Sequence, residues 1–347
     1  MSDGAAVHAE RLSAQLLSGE GARDPPAVAR RLLAVQGQDG RGARLAIRAR
    51  STGLSAADVD RALTDERSLL ITWVNRGTLH LLCSEDYPWL HALTAPPLLA
   101  ANARRLAQEG LTADAADRGV EVIVRSLADD GPLTRVQLRD RIAAAGVRTQ
   151  GQALIHLLML ASLRGLTVRG PMIGPQHAYV LVSDWLPAAR PVDRDAALAE
   201  LARRYLLGHG PANERDLAKW AGLPLRDVRA GLSAIAAELA VREDGLLSLR
   251  ASAPDEGLPP PQLLGAFDPV LLGWTSRERI IGRHVGLVTA QGLFRPFALV
   301  GGRAVAVWGF PRGAVELRPL ERISRADRSA LNAEAVAVER FLGSPAG

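Results

Sequence analysis

Two glutamines one residue apart, Gln36 and Gln38, are the residues of this 347-residue chain whose type and spacing best suit chemistry. Each carboxamide offers a carbonyl acceptor and an NH2 donor, so a pair reaching one spot can hold a water molecule from two sides. Glutamine does not usefully take up a proton, so such a pair suits a reaction whose leaving group departs easily. Gly37 between them gives the backbone freedom to bend, and Arg41, Arg44, Arg48 and Arg50 follow closely. Taken alone, Gln-x-Gln is a very weak signal whose default reading is a pair of solvated loop glutamines.

Other chemistries find less support. The seven histidines are scattered, and only His80, near the single cysteine Cys83, has the spacing of a metal-ligand pair, so no metal site is expected. Gly37, Gly40 and Gly42 follow a helix instead of a strand, the wrong context for a dinucleotide fingerprint. A nucleophile elbow is missing too, and no cofactor is expected. With one cysteine the chain cannot form an internal disulfide, which suits a reducing compartment. The first ten residues carry neither a basic start nor an apolar run, and no stretch of roughly 18 residues is apolar without a charge. The expectation is a cytoplasmic, nucleoid-associated protein with no membrane partner. Lysine and arginine together number 42 against 37 acidic residues, for a net charge of +5, and Lys219 is the only lysine. That arginine bias is weak support for nucleic acid by itself; where the arginines fall carries more weight.

The elements that must position these residues repeat. Gly131-Pro132-Leu133-Thr134 opens a helical segment that ends at Ala145-Gly146 and is followed by a second helix over 153–163. Gly210-Pro211-Ala212-Asn213 opens another, ending at Ala221-Gly222 and followed by a run over 228–239. Thr134 and Asn213 stand at equivalent N-cap positions. Each second helix leads into short extended segments, 166–169 with 178–182 and 240–242 with 246–250, and amphipathic runs over 115–128 and 195–207 supply first helices. That is a winged-helix plan. The N-terminal part follows it more loosely: Asp24 caps a helix starting at Pro25, Ser55 caps one over 56–63, and 69–74 with 78–83 form a hairpin around Asn75-Arg76-Gly77.

The segment 251–261, rich in Pro, Asp and Glu, marks a boundary. Beyond it, 295–300 and 303–308 flank Gly301-Gly302 as a hairpin, 285–289 and 314–318 read as further strands, and a helix over 325–342 closes the chain. The fold expected is α+β and mainly helical: three tandem winged-helix units in a curved array (1–110, 111–190 and 191–250), followed by a small β-domain with a terminal helix (262–347).

In order along the chain, Val35-Gln36-Gly37-Gln38-Asp39, then Trp73-Val74-Asn75-Arg76-Gly77-Thr78-Leu79-His80-Leu81-Leu82, then Phe267-Asp268-Pro269, Leu271-Leu272-Gly273-Trp274 and Phe294-Arg295-Pro296 closely resemble the bacterial winged-helix DNA glycosylases of the AlkZ and YcaQ type. The resemblance runs from about residue 11 to residue 308. It implies a monofunctional glycosylase acting on alkylated double-stranded DNA. Gln36 and Gln38 match the Gln-x-Gln branch, tied to bulky N7-alkylguanine adducts, including crosslinks and adducts of genotoxic natural products, and so to antibiotic self-resistance. The middle residue of that motif is usually apolar with a side chain; here it is Gly37.

Such a lesion places a positive charge on guanine, so the base leaves without a protonating acid. The enzyme then needs a positioned water and stabilisation of an oxocarbenium-like sugar. The resemblance makes Gln36 and Gln38 the catalytic pair and gives Asp39, Arg76 and His80 accessory places. Arg41, Arg44, Arg48, Arg277, Arg279, Arg283, His284, Arg295 and Arg303 are the expected DNA contacts, with Arg295 and Arg303 on a hairpin that probes the groove. No aromatic residue adjoins the glutamines, which favours an open cleft over a tight pocket. The competing reading is a non-catalytic DNA-binding regulator, but the chain shows neither a clear dimer interface nor an effector pocket, and a monomer is expected.

Overall fold

The computed structural model describes residues 3–188, 191–251, 257–289 and 292–343. The chain divides into two compact units, one formed by Met1–Val59 with Leu198–Gly347, the other by Asp60–Ala197.

Local signals set the helix boundaries in both. Asp24 accepts from the Ala27 amide at 2.7 Å and Pro25 stands at the first position of the helix Pro25–Leu32, which stops at Leu33 in a left-handed conformation (φ 64°). Thr134 and Gln137 form a reciprocal capping box at the start of Arg135–Ala144, and Asn213 and Asp216 form another at the start of Glu214–Ala221. Gly222 closes the latter helix in the left-handed region at φ 71°. Each N-cap side chain contributes about 1 kcal/mol.

In both helix-turn-helix segments the residue just before the cap adds a rung to the wing. Leu133 exchanges backbone hydrogen bonds with Tyr179, and Ala212 does so with Leu247. The wings are Thr167–Ile173 with Gln176–Leu181, and Leu239–Val241 with Leu247–Leu249. This is the winged-helix plan that the repeated Gly-Pro-x-Thr/Asn pattern predicts.

In the unit of residues 60–197, Thr78–Cys83 pairs antiparallel with Leu69–Val74, in register from Leu69 opposite Cys83 to Val74 opposite Thr78. Leu69–Val74 in turn meets Thr167–Ile173 at Ile71 opposite Arg169. The helix Ala153–Leu163 is apolar nearly all round and buried accordingly, with Leu157 and Leu158 inaccessible to solvent. Gly119, on the helix Ala113–Asp130, allows Leu157 close: a Cβ there would stand 3.0 Å from it.

In the other unit, Gln262–Leu264, Phe297–Val300, Arg303–Gly309 and Glu316–Pro319 form an antiparallel sheet in chain order. The helix Arg325–Gly343 covers it with Leu331, Val338 and Phe341, packed against Leu263, Ala298, Ala306 and Trp308. The strand expected over 285–289 is not formed. Val285–Leu287 is a short 3-10 turn, and only Val288 pairs, opposite Phe294. Gly282 turns left-handed just before it, and the Thr289 amide bonds to the Leu293 carbonyl just after, which leaves no length for a strand. Residues 252–256 of the expected linker lie outside the described residues.

Candidate active site

The glutamine pair lies between two fixed elements. After the helix Pro25–Leu32, residues Leu33, Ala34 and Val35 are buried, and Val35–Gln36 is a short strand. Gln36 is buried, at 6% exposure, while Gln38 two residues on is exposed. Gln36 ends the strand and Gln38 lies in the bend that follows it, so the pair combines one buried residue with one at the surface. Among the described residues, no side-chain hydrogen bond engages either carboxamide. Gly37 is buried and does not adopt a positive φ, so a left-handed turn is not what requires glycine there.

Asp39 has a structural task. Its Oδ1 accepts from the Gly42 amide at 2.6 Å and caps the helix Gly40–Arg48. The basic residues of that helix differ in what they can do. Arg48 is drawn inward by two bonds to Glu334, at 2.7 and 2.9 Å, with its side chain 15% exposed. Arg44 donates to the Gly40 carbonyl at 2.9 Å, and the Arg41 guanidinium lies 5.3 Å from the centre of the Phe310 ring.

Arg50, just beyond the helix, is fully buried and donates to both carboxylate oxygens of Asp268, at 2.7 and 3.0 Å. Gln15 accepts from the same guanidinium at 3.0 Å, and Asp268 also accepts from the Val270 amide at 2.9 Å. The motif Phe267-Asp268-Pro269 drew attention in the sequence, but nothing there shows that Asp268 belongs to Arg50.

The hairpin 69–83 carries a second polar group. His80 is buried, and its Nδ1 donates to the Thr78 carbonyl at 2.9 Å. Burial, reinforced by the charge of Arg76, lowers its pKa to about 3. At neutral pH His80 is therefore an uncharged imidazole whose Nε2 carries a lone pair, an acceptor and not an acid. Thr72, directly opposite His80, has a buried Oγ1 without a hydrogen-bond partner, as does Thr78, and the Asn75 carboxamide has none at either end. Sequence reading takes Asn75 only as a turn and motif residue and does not single out Thr72, whose signal is a polar residue in an otherwise apolar strand.

In the C-terminal part, Arg279, Arg295 and Arg303 are exposed. The Arg283 side chain is 78% exposed, 4.0 Å from Glu321. His284 donates to Glu321 at 3.0 Å, and that bond is the main cause of the lowered pKa of Glu321. Arg277 is held: its Nε donates to the Leu271 carbonyl at 2.7 Å, its guanidinium lies 5.0 Å from the Phe294 ring centre, and desolvation lowers its pKa. Among the described residues no cluster of His, Cys, Asp and Glu could hold a metal ion, and no helix is long and apolar enough to cross a membrane.

Comparison with known proteins bears on family and fold. Residues 29–341 match the family described as AlkZ-like DNA glycosylase. The chain is 28% identical, over 97% of its length and 96% of the relative's, to a Streptomyces sahachiroi protein named interstrand DNA cross-link repair glycosylase. Its fold is similar to the solved structure of Streptomyces sahachiroi DNA glycosylase AlkZ, with a TM-score of 0.75, 25% identity, and coverage of 99% of this chain and 97% of that one. With a match that spans the strand Val35–Gln36, both winged-helix repeats and the C-terminal sheet, the chain belongs to the AlkZ-like DNA glycosylase family and is an enzyme that cleaves N-glycosyl bonds of DNA.

Proposed function

We propose that this enzyme removes N7-alkylguanine from double-stranded DNA and that Gln36 and Gln38 position the attacking water. The observation that carries the reading is the pairing of a buried carboxamide, Gln36, with an exposed one, Gln38, on a segment anchored by buried residues on one side and a capped helix on the other. An alkylated guanine already bears positive charge, so its departure needs no acid. Holding water near C1′ is then the main demand, and oriented amides meet it. Bulky adducts need an open cleft at the glutamines, and no aromatic residue adjoins the pair in the sequence. The name of the Streptomyces sahachiroi relative favours crosslinks among them.

Arg41, Arg279, Arg283, Arg295 and Arg303 are proposed phosphate contacts, and Arg48 and Arg277 act through the fold instead. The protein works as a monomer in the cytoplasm, its modules following the boundaries 1–110, 111–190, 191–250 and 262–347. Single-turnover assays on duplex DNA carrying N7-methylguanine or a bulky N7 adduct test the reading by scoring free base and alkali-labile abasic sites. Gln36→Ala or Gln38→Ala should slow release on the order of 100-fold, the scale of losing a transition-state hydrogen bond, with duplex affinity unchanged. Wild-type rates in both variants would remove the glutamines from the site. No release by the wild type from either substrate would refute the N7-alkylguanine assignment.

A further inference from the structure

The helix that begins just after Gln38 is gripped at both ends by one segment, residues 264–269. At its start, Asp39 caps the Gly42 amide. A Cβ added to Gly42 would lie 2.4 Å from the carbonyl oxygen of Ala266, and one added to Gly265 would lie 2.9 Å from Gly42 Cα and 3.1 Å from Gly42 O. Neither glycine adopts a positive φ, so backbone conformation does not require them. What requires them is distance: two stretches of main chain meet with no side chain between. At the other end Asp268, three residues beyond Gly265, holds Arg50 through two buried hydrogen bonds, and Gln15 links that guanidinium to the Pro269 carbonyl, at 3.0 and 3.4 Å.

The two contacts differ in kind. The Arg50 pair fixes the far end by charge, whereas the Gly42–Gly265 approach sets how close the helix start stands to the segment that follows Gln262–Leu264. Gln38 is only four residues before Gly42 and is joined to it through the Asp39 cap. Gln36, by contrast, is set by its own strand and burial. The spacing between the two carboxamides therefore depends on where the helix start is held. Reacting groups must be placed to within fractions of an ångström for water to attack in line, so a small shift is enough to slow chemistry without unfolding anything.

We propose that Gly42, Gly265 and Asp39 form a positioning element for hydrolysis, acting through Gln38. This rests on the glutamine pair being the water-holding site, and the experiment separates the two ideas. Gly42→Ala, Gly265→Ala, Asp39→Ala and Asp39→Asn are compared with Gln36→Ala and Gln38→Ala. The readouts are single-turnover base release from N7-methylguanine duplex, affinity for lesion-free duplex, and thermal melting. Gly42→Ala is also placed in the Gln38→Ala background.

Gly42→Ala and Gly265→Ala should each slow release on the order of 10- to 100-fold per folded molecule, with duplex affinity within about threefold. Asp39→Ala should slow it about tenfold, and Asp39→Asn, which keeps the cap acceptor, should recover most of that. In the Gln38→Ala background the loss from Gly42→Ala should shrink to less than about threefold, because residues that act through one another are not additive. An undiminished loss in that background would show that the glycine contact serves only the fold. Asp39→Asn as slow as Asp39→Ala would overturn the capping role in favour of a carboxylate acting in the chemistry. Slow glutamine variants beside glycine variants at the wild-type rate would defeat the positioning element alone. Glutamine variants at the wild-type rate would defeat the reading on which it rests.

Discussion

The 69–83 hairpin and the 297–309 hairpin both turn through left-handed residues, Asn75 and Gly77 in the first, Gly301 and Gly302 in the second. Their interiors differ. In the second, Phe297, Ala298, Leu299, Ala304, Val305, Ala306 and Trp308 are buried, and the polar atom among those side chains, Trp308 Nε1, donates to the Leu264 carbonyl at 2.9 Å. In the first, one face alternates Leu70 opposite Leu82, Thr72 opposite His80 and Val74 opposite Thr78. Three of those residues are polar, and the hydroxyls of Thr72 and Thr78 are buried without a partner. A buried polar group left unsatisfied costs about 1–3 kcal/mol. One hairpin is thus optimised for packing, while the other carries buried polar groups in a pattern that packing does not explain.

The largest test of that contrast is Trp308→Ala. The side chain is 5% exposed and packs in the cluster under the terminal helix, so its truncation should cost about 3–5 kcal/mol in urea-unfolding measurements. A loss below about 1 kcal/mol would mean that the C-terminal sheet is not the rigid partner in the comparison. His80 comes next. In the folded chain it stays neutral down to about pH 3, whereas in the unfolded chain it protonates near 6.5. Between those values the unfolded state holds one more proton, so stability rises with pH and is lost as acid is added. Its share of the slope is about 1.4 kcal/mol per pH unit below 6.5. Unfolding at pH 7.5 and pH 5.5 should show the wild type losing about that much more than His80→Asn, and equal losses would mean that His80 is protonated in the fold.

Both hairpins were legible in the sequence because their turn residues can do little else: Asn-Arg-Gly and Gly-Gly between β-forming runs leave the backbone few options. The helix-turn-helix repeats were legible because Thr134 and Asn213 are caps whose partners, Gln137 and Asp216, stand three residues away. The support of the candidate site was not. Arg48 and Arg50 look alike in a run of arginines, yet one finds Glu334 and the other Asp268, which stands 218 positions along the chain. Gly42 looked like part of a glycine-rich loop, and its reason is the carbonyl of Ala266. Such pairings depend on three-dimensional approach, which local pattern does not encode. The 285–289 segment failed in the opposite direction: its apolar alternation is that of a strand, but Gly282 and the turn at Thr289 allow it one rung.

Thr72→Val has the smallest expected effect and bears most directly on the contrast. The two side chains have nearly the same shape, so the change removes a buried, unpartnered hydroxyl and leaves the packing in place. If the hydroxyl is a cost carried by the folded chain, the variant should be more stable by about 1 kcal/mol. The 297–309 hairpin offers no such gain, since its buried strand positions are already apolar. A variant that is more stable and slower in base release would show the first hairpin exchanging stability for function. A less stable variant would show that Thr72 has a partner in solution, such as an ordered water, and that the two hairpins are more alike energetically than their residues suggest.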